Sequence, residues 1–163
     1  MRQIHKKNLQ ELHGGYWMNK QLGRAFQMFV WQLRQVSKCK DRGVACLICS
    51  NDLHQIYSIG INGGPKGLTP ECLCSTGDKY SCIHAEANAL IKLNTRAADK
   101  IMICSLAPCS QCASMIINEP GGFAEVWYIQ TYHDSSGLEL LKKAGIKTGF
   151  LDAEGNVWYE LEK

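Results

Sequence analysis

The sequence predicts an α/β fold, a three-layer α/β/α sandwich around a five-stranded mixed sheet. Three observations predict it. Two β-rich apolar runs sit close together around a turn signal, as in an antiparallel hairpin. Downstream, short strands alternate with helical patterns, which calls for crossover connections. The strands are apolar on both sides, which requires helices on both faces of the sheet.

The elements follow in order. From Trp17 to Val36, the residues Leu22, Phe26, Phe29, Val30, Leu33 and Val36 recur at helical spacing and predict an amphipathic first helix. "GVACLICSNDLHQIYSIGI" then reads as two strands joined around Asn51 and Asp52. A loop punctuated by glycine and proline follows, "NGGPKGLTP", then a loop rich in cysteine, "ECLCSTGDKYSC". A helix is expected from about His84 to Leu93, "KIMIC" as a strand, and "CSQCASMII" as a helix starting just after Pro108. "EVWYIQ" is a strand, "GLELLKKAG" a helix with Gly145 near its C-terminal cap, and "IKTGFL" the fifth strand. "AEGNVWYEL" is a further turn-and-strand candidate outside these five. The 163 residues suit one domain, 1–163, with residues 1–15 as a flexible arm.

Composition narrows the function. With 45% hydrophobic and 20% charged residues the chain can bury a core, which argues against disorder. A net charge of +3 is compatible with binding a single phosphate but is too small to argue for a surface that binds duplex nucleic acid. The N-terminal stretch is polar and basic with no apolar leader, and runs such as "VACLIC" are far short of a membrane span. The expectation is a cytoplasmic protein with no membrane partner. Nine cysteines, an odd number, then point to metal ligands or buried apolar residues rather than disulfides.

The spacing of those cysteines carries chemistry. "PCSQC" puts Cys109 and Cys112 three residues apart at a helix start, on one face, where they can chelate one ion. Pro108 suits the edge of a helix, where its missing N–H costs nothing. "SCIHAEANAL" offers His84 and Glu86, two residues apart. Residues at that spacing do not share a helix face, so the pair makes sense only where the chain is entering the helix. His84, Cys109 and Cys112 then make three protein ligands with a fourth position open, the pattern of a catalytic zinc. Glu86 is left to carry protons. Two thiolates bring the site charge near zero, and helix N-termini ahead of Glu86 and Cys112, each roughly half an elementary charge, offset them. The competing readings are a purely structural zinc and, for Glu86, a surface acid favoured at a helix N-terminus. Cys72, Cys74 and Cys82, with Cys39, are either ligands of a second, structural zinc or small buried apolar residues. Cys46, Cys49 and Cys104 lie in strands and read as core.

H-x-E followed by P-C-x-x-C is the signature of zinc nucleobase deaminases. Together with "SKCKDRGVACLICSNDLHQIYSIGINGGPKGL", "LAPCSQCASMI" and "EVWYIQTYHDSSGLELLKKAGI", it makes the chain from about Phe26 to Leu151 resemble the deoxycytidylate (dCMP) deaminase family of the zinc-dependent cytidine deaminase superfamily. The chain departs from that family at Ile61, where tyrosine is common, and at Ala107, where serine or threonine is common. The resemblance implies a cytidine-deaminase-like fold and hydrolysis of dCMP to dUMP and ammonia, supplying dUMP for dTMP synthesis. It assigns His84, Cys109 and Cys112 to Zn2+ and proton transfer to Glu86. It places Asn62 on the sugar and Ala85 at the ring's edge, with Lys66 a point charge for phosphate and Tyr132 a stacking residue. It further implies a homo-oligomer, a hexamer, with dCTP (carrying Mg2+) as activator and dTTP as inhibitor. The alternatives are a related deaminase acting on cytidine, guanine, a pteridine-like ring or tRNA adenosine, and a zinc-stabilised module without turnover.

Overall fold

The computed structural model describes residues 20–39, 41–67 and 82–159. The arm expected at 1–15, and Cys72 and Cys74, lie outside the described residues. In chain order the elements are α1 (Lys20–Leu33), β1 (Ala45–Cys49), β2 (Ile56–Ile61), α2 (Ala85–Ile91), β3 (Lys100–Cys104), α3 (Ser110–Ile117), β4 (Phe123–Tyr128), α4 (Ser136–Lys143), β5 (Lys147–Leu151) and β6 (Val157–Tyr159). A single 3-10 turn, Arg34–Val36, extends α1. The long first helix expected from the apolar stripe therefore changes geometry at Arg34.

The strands form one mixed sheet in the order β2-β1-β3-β4-β5-β6. β1 pairs antiparallel with both β2 and β3, β3-β4-β5 run parallel, and β6 returns antiparallel to β5. The sheet has six strands where five were expected. The extra strand depends on one side chain. Asp152 accepts hydrogen bonds from the backbone N–H groups of Glu154 and Asn156 and from Trp158 Nε1, while Gly155 takes φ 86°. That turn reverses the chain onto β5, and a Cβ on Gly155 would collide with the α1 backbone at Lys20 and Arg24.

Alternation along the strands builds two cores. Ala45, Leu47, Cys49, Ile101, Ile103, Trp127 and Leu151 pack with Val30 on the α1 side. Cys46, Ile48, Met102, Cys104 and Val126 pack with Ala89, Ile116 and Leu141 on the side of α2, α3 and α4. The expected core cysteines Cys46, Cys49 and Cys104 are all fully buried. Of the α1 stripe, Val30 is buried and Leu22, Phe26 and Leu33 pack at the edge, while Phe29 and Val36 are exposed. Lys100, at the start of β3, is also fully buried; its ammonium lies 2.7 Å from Glu119 and over the Phe123 ring.

Two glycines bring the site elements into contact. A Cβ on Gly60 of β2 would overlap the carbonyl oxygen of Ala85, so β2 can lie directly against the first turn of α2. A Cβ on Gly137 of α4 would overlap the carbonyl of Pro108, so α4 supports the entry to α3. At its other end α4 closes in a Schellman arrangement, with Gly145 N–H on Lys142 O and Ile146 N–H on Leu141 O. This is the cap expected at Gly145.

Candidate active site

The spacing of His84 and Glu86 is explained by where α2 begins. His84 is the N-cap residue, with extended backbone (φ −67°, ψ 154°), and α2 starts at Ala85. Its ring therefore leaves the chain in a direction no helical residue shares, while Glu86 in the first turn is buried. Cys109 repeats the device. It is the N-cap of α3, extended at φ −74°, ψ 170°, and Cys112 is buried in the following turn. Neither N-cap side chain bonds back to its own helix, so both stay directed at the site.

The three donors converge. His84 Nδ1 lies 3.6 Å from Cys109 Sγ and 3.3 Å from Cys112 Sγ. All three ligand atoms fall within 4.8 Å of one another. Bond lengths typical of zinc at tetrahedral angles require sulfur and nitrogen ligands about 3.5 Å apart, so this donor set fits the ion. The set also shares protons closely. Hydrogen bonds from Cys112 and then His84 pull the Cys109 thiol down to about 4, while Cys112 is pushed up by its bond to Cys109 and by burial. His84 is raised chiefly by its bond to Cys109. A cation can take over the charge that these protons now balance. Burial pushes the Glu86 carboxyl above its ordinary range, partly opposed by hydrogen bonding at its own backbone N–H and by His84. It also contacts the Cys112 thiol.

A pocket of about 430 Å³ opens on this centre, lined by His84, Ala85, Glu86, Cys109, Asn62 and Tyr132, among others. Ala85 and Tyr132 thus stand where expected; Tyr132 is half-buried, its ring 4.1 Å from that of His133. Asn62 lines the pocket with its amide engaged. Its Oδ1 accepts from Val44 N–H (2.8 Å) and Ser37 O–H (2.6 Å), and its Nδ2 donates to Arg42 O (2.8 Å). In this arrangement it braces the loop before β1. Lys66 is exposed and does not line the pocket. Cys82 and Cys39 lie together at the pocket wall, where burial, then the charge of Cys39, pushes the Cys82 thiol up to about 11. Asn88 ties α2 to the end of β2 through Nδ2 and Ile61 O (2.8 Å), and backbone bonds pair Gly63 with Ile83 just before His84.

Sequence reasoning passed over Arg42, Asp41 and His133, which also line the pocket, and Gly137, which supports Cys109. Gly137 follows two serines and reads as an ordinary helix-start residue. Nothing local to Arg42 marks it, because its place depends on Asn62, 20 residues away.

Comparison with known proteins agrees with this geometry. The cytidine and deoxycytidylate deaminase zinc-binding region matches residues 20–129. The deoxycytidylate deaminase of Schizosaccharomyces pombe is 30% identical over 68% of this chain and 38% of its own length. The human deoxycytidylate deaminase is 35% identical over 56% of this chain and 54% of its own length. The chain thus spans about a third to a half of these two relatives. A crystal structure of dCMP deaminase from the cyanophage S-TIM5, in complex with dCMP and dUMP, superposes with a TM-score of 0.74 at 27% identity, over 82% of this chain and 99% of that one. With its H-x-E and P-C-x-x-C residues gathered at one pocket, this chain belongs to the family of cytidine and deoxycytidylate deaminase zinc-binding domains.

Proposed function

We propose that this chain is a single-domain, zinc-dependent hydrolase that converts dCMP to dUMP and ammonia. The observation that carries the reading is the meeting of His84, Cys109 and Cys112 beside a buried Glu86 in one pocket. The names of the matching relatives and of the cyanophage complex support dCMP as substrate.

His84, Cys109 and Cys112 are the residues that would hold zinc. When bound, zinc supplies Lewis acidity that can bring a water's pKa from 15.7 toward about 7. The remaining steps belong to the protein. Glu86, as carboxylate, accepts a proton from the attacking water and passes it to N3 of the cytosine ring. The C4–O bond forms. Glu86 then transfers the proton of the new C4 hydroxyl to the exocyclic amine, the C4–N4 bond breaks, and ammonia leaves. Burial suits Glu86 to this work, because a carboxyl with a raised pKa holds and releases protons near neutral pH. Ala85 and Tyr132 flank the ring, and Asn62 faces the sugar while fixing its loop.

The finer parts of this reading rest on the resemblance. They are a hexamer in the cytoplasm, dCTP with Mg2+ as activator, dTTP as inhibitor, and a second zinc on Cys82 with Cys72 and Cys74. Among the described helices, none is long and apolar enough to cross a membrane.

The test pairs metal analysis with ammonia release from dCMP, CMP, cytidine, cytosine and dCTP. The expected result is one catalytic zinc per chain with dCMP preferred, and Glu86→Gln retaining zinc while losing turnover by orders of magnitude. Deamination of another ring with dCMP untouched would overturn the substrate, and unchanged turnover in Glu86→Gln would remove its role.

A further inference from the structure

A second cavity, of about 600 Å³, adjoins the pocket that holds Glu86 and the three donors. Arg42 and Leu106 line both, so one wall separates them. Arg34, Gln130 and Thr131 complete the polar side of the second cavity. The Arg34 guanidinium sits 3.9 Å from the centre of the Trp31 ring, and its Nη1 donates to Gln130 Oε1 at 3.2 Å. It is therefore held in place by neutral groups. Among the described residues, neither Arg34 nor Arg42 has a carboxylate in ion-pair range. Asn62 bonds the Arg42 carbonyl and so fixes the loop that carries the second cation.

Two uncompensated guanidinium groups on a concave wall attract an anion, and their planar forks match phosphate oxygens. The position of this wall decides which anion. A ring beside Glu86 with its sugar toward Asn62 leaves its 5′ substituent to pass Arg42 and reach Arg34. We propose that Arg34 and Arg42 bind the 5′-phosphate of the substrate and set the preference for a nucleotide over the nucleoside. The proposal rests on the deaminase reading above, and it moves phosphate recognition from Lys66, which lines neither cavity, to these two arginines. Arg34 arrives already oriented by Trp31 and Gln130, so little side-chain freedom is lost on binding.

The test is steady-state kinetics of the zinc-loaded protein on dCMP and deoxycytidine side by side. In Arg34→Ala and in Arg42→Ala the ratio of the two kcat/KM values falls about tenfold or more, through a higher KM for dCMP. Arg34→Lys, which keeps the charge without the fork, falls part of the way. Misfolding lowers both substrates together and leaves the ratio alone. A wild-type ratio in both alanine variants, or a collapse confined to Lys66→Ala, overturns the proposal. Inorganic phosphate is the probe that needs no ring. It raises the Tm of the wild type, and the double variant Arg34→Ala/Arg42→Ala loses that rise. A protein that ignores dCMP yet shows this response ends the dCMP reading and supports the arginine site; no response together with an unchanged ratio ends the site.

Discussion

Two pairs of cysteines lie close together in this molecule and differ in everything but the atom they carry. Cys46 and Cys104 face each other across β1 and β3, fully buried under α2 and α3. Burial pushes the Cys46 thiol up, and its bond to Cys46, then burial, raises Cys104. Cys109 and Cys112 stand at the entry to α3 beside His84, with Cys109 half-exposed and held low. A thiol inside a sheet has only apolar neighbours and stays protonated. One at a helix start has N–H dipoles, an imidazole and an open side, and can become a ligand. Secondary-structure position, more than the number of cysteines, separates core from metal site.

The largest expected effect breaks the comparison directly. Cys109→Ala or Cys112→Ala loses the catalytic zinc and on the order of a hundredfold or more of dCMP turnover, whereas Cys104→Ala keeps both and costs about 1–2 kcal/mol of stability. Metal analysis beside turnover decides it; equal zinc loss in all three variants would show that the two pairs are not distinct. Next is Glu119→Gln. It leaves the fully buried Lys100 without its counter-charge, at a cost of about 3 kcal/mol in denaturant unfolding, with zinc retained because the pair lies at the far end of β3. A midpoint within error of the wild type would show Lys100 to be held without that carboxylate.

A smaller change falls on the support of Cys109. Gly137→Ala forces a Cβ against the Pro108 carbonyl, costing about 1–3 kcal/mol and shifting zinc competition toward weaker chelators. An unaltered competition curve would show that α4 does not position the ligand. Reactivity sharpens the contrast further. After chelation, iodoacetamide should label Cys109 in the folded protein, while Cys46 and Cys104 react only on unfolding, as peptide mapping by mass would reveal.

The mildest effect is acid sensitivity away from the metal. Burial would raise Glu119, but hydrogen bonds from Lys100 and Gly121 outweigh it and hold the carboxyl below its ordinary 4.5. Asp152 is likewise held below 3.8, burial being outweighed by bonds from Asn156 and Trp158. Folded values below unfolded ones mean that these groups stabilise the protein fully above about pH 5 and lose that contribution as pH falls through the folded values. Urea midpoints measured from pH 6 to pH 3 on metal-free protein should fall less steeply in Asp152→Asn than in the wild type; equal slopes would assign the acid limb elsewhere.

Much of the site could be read in the sequence because its rules are local. H-x-E and P-C-x-x-C place donors within one turn of a helix start, and the N-cap geometry of His84 and Cys109 then follows from the capping position itself. The two-faced apolar strands carried the layer order in the same way. β6 was harder to count because it hangs on the hydrogen bonds of Asp152, a residue indistinguishable in sequence from any loop acid. Lys66 was a reasonable phosphate contact by its place in a glycine loop, yet it faces away from both cavities.

By itself the sequence determined the layers of the fold, the ligand types and the acid beside them, since periodicity, capping and chelate spacing act over a few residues. Tertiary structure alone decided what meets at a distance. Arg34 and Gln130, 96 positions apart, share one cavity wall, and Gly60 and Gly137 let strand and helix close on the metal ligands. The physical reason is that such contacts depend on where long crossover connections return the chain, and no local pattern encodes the point of return.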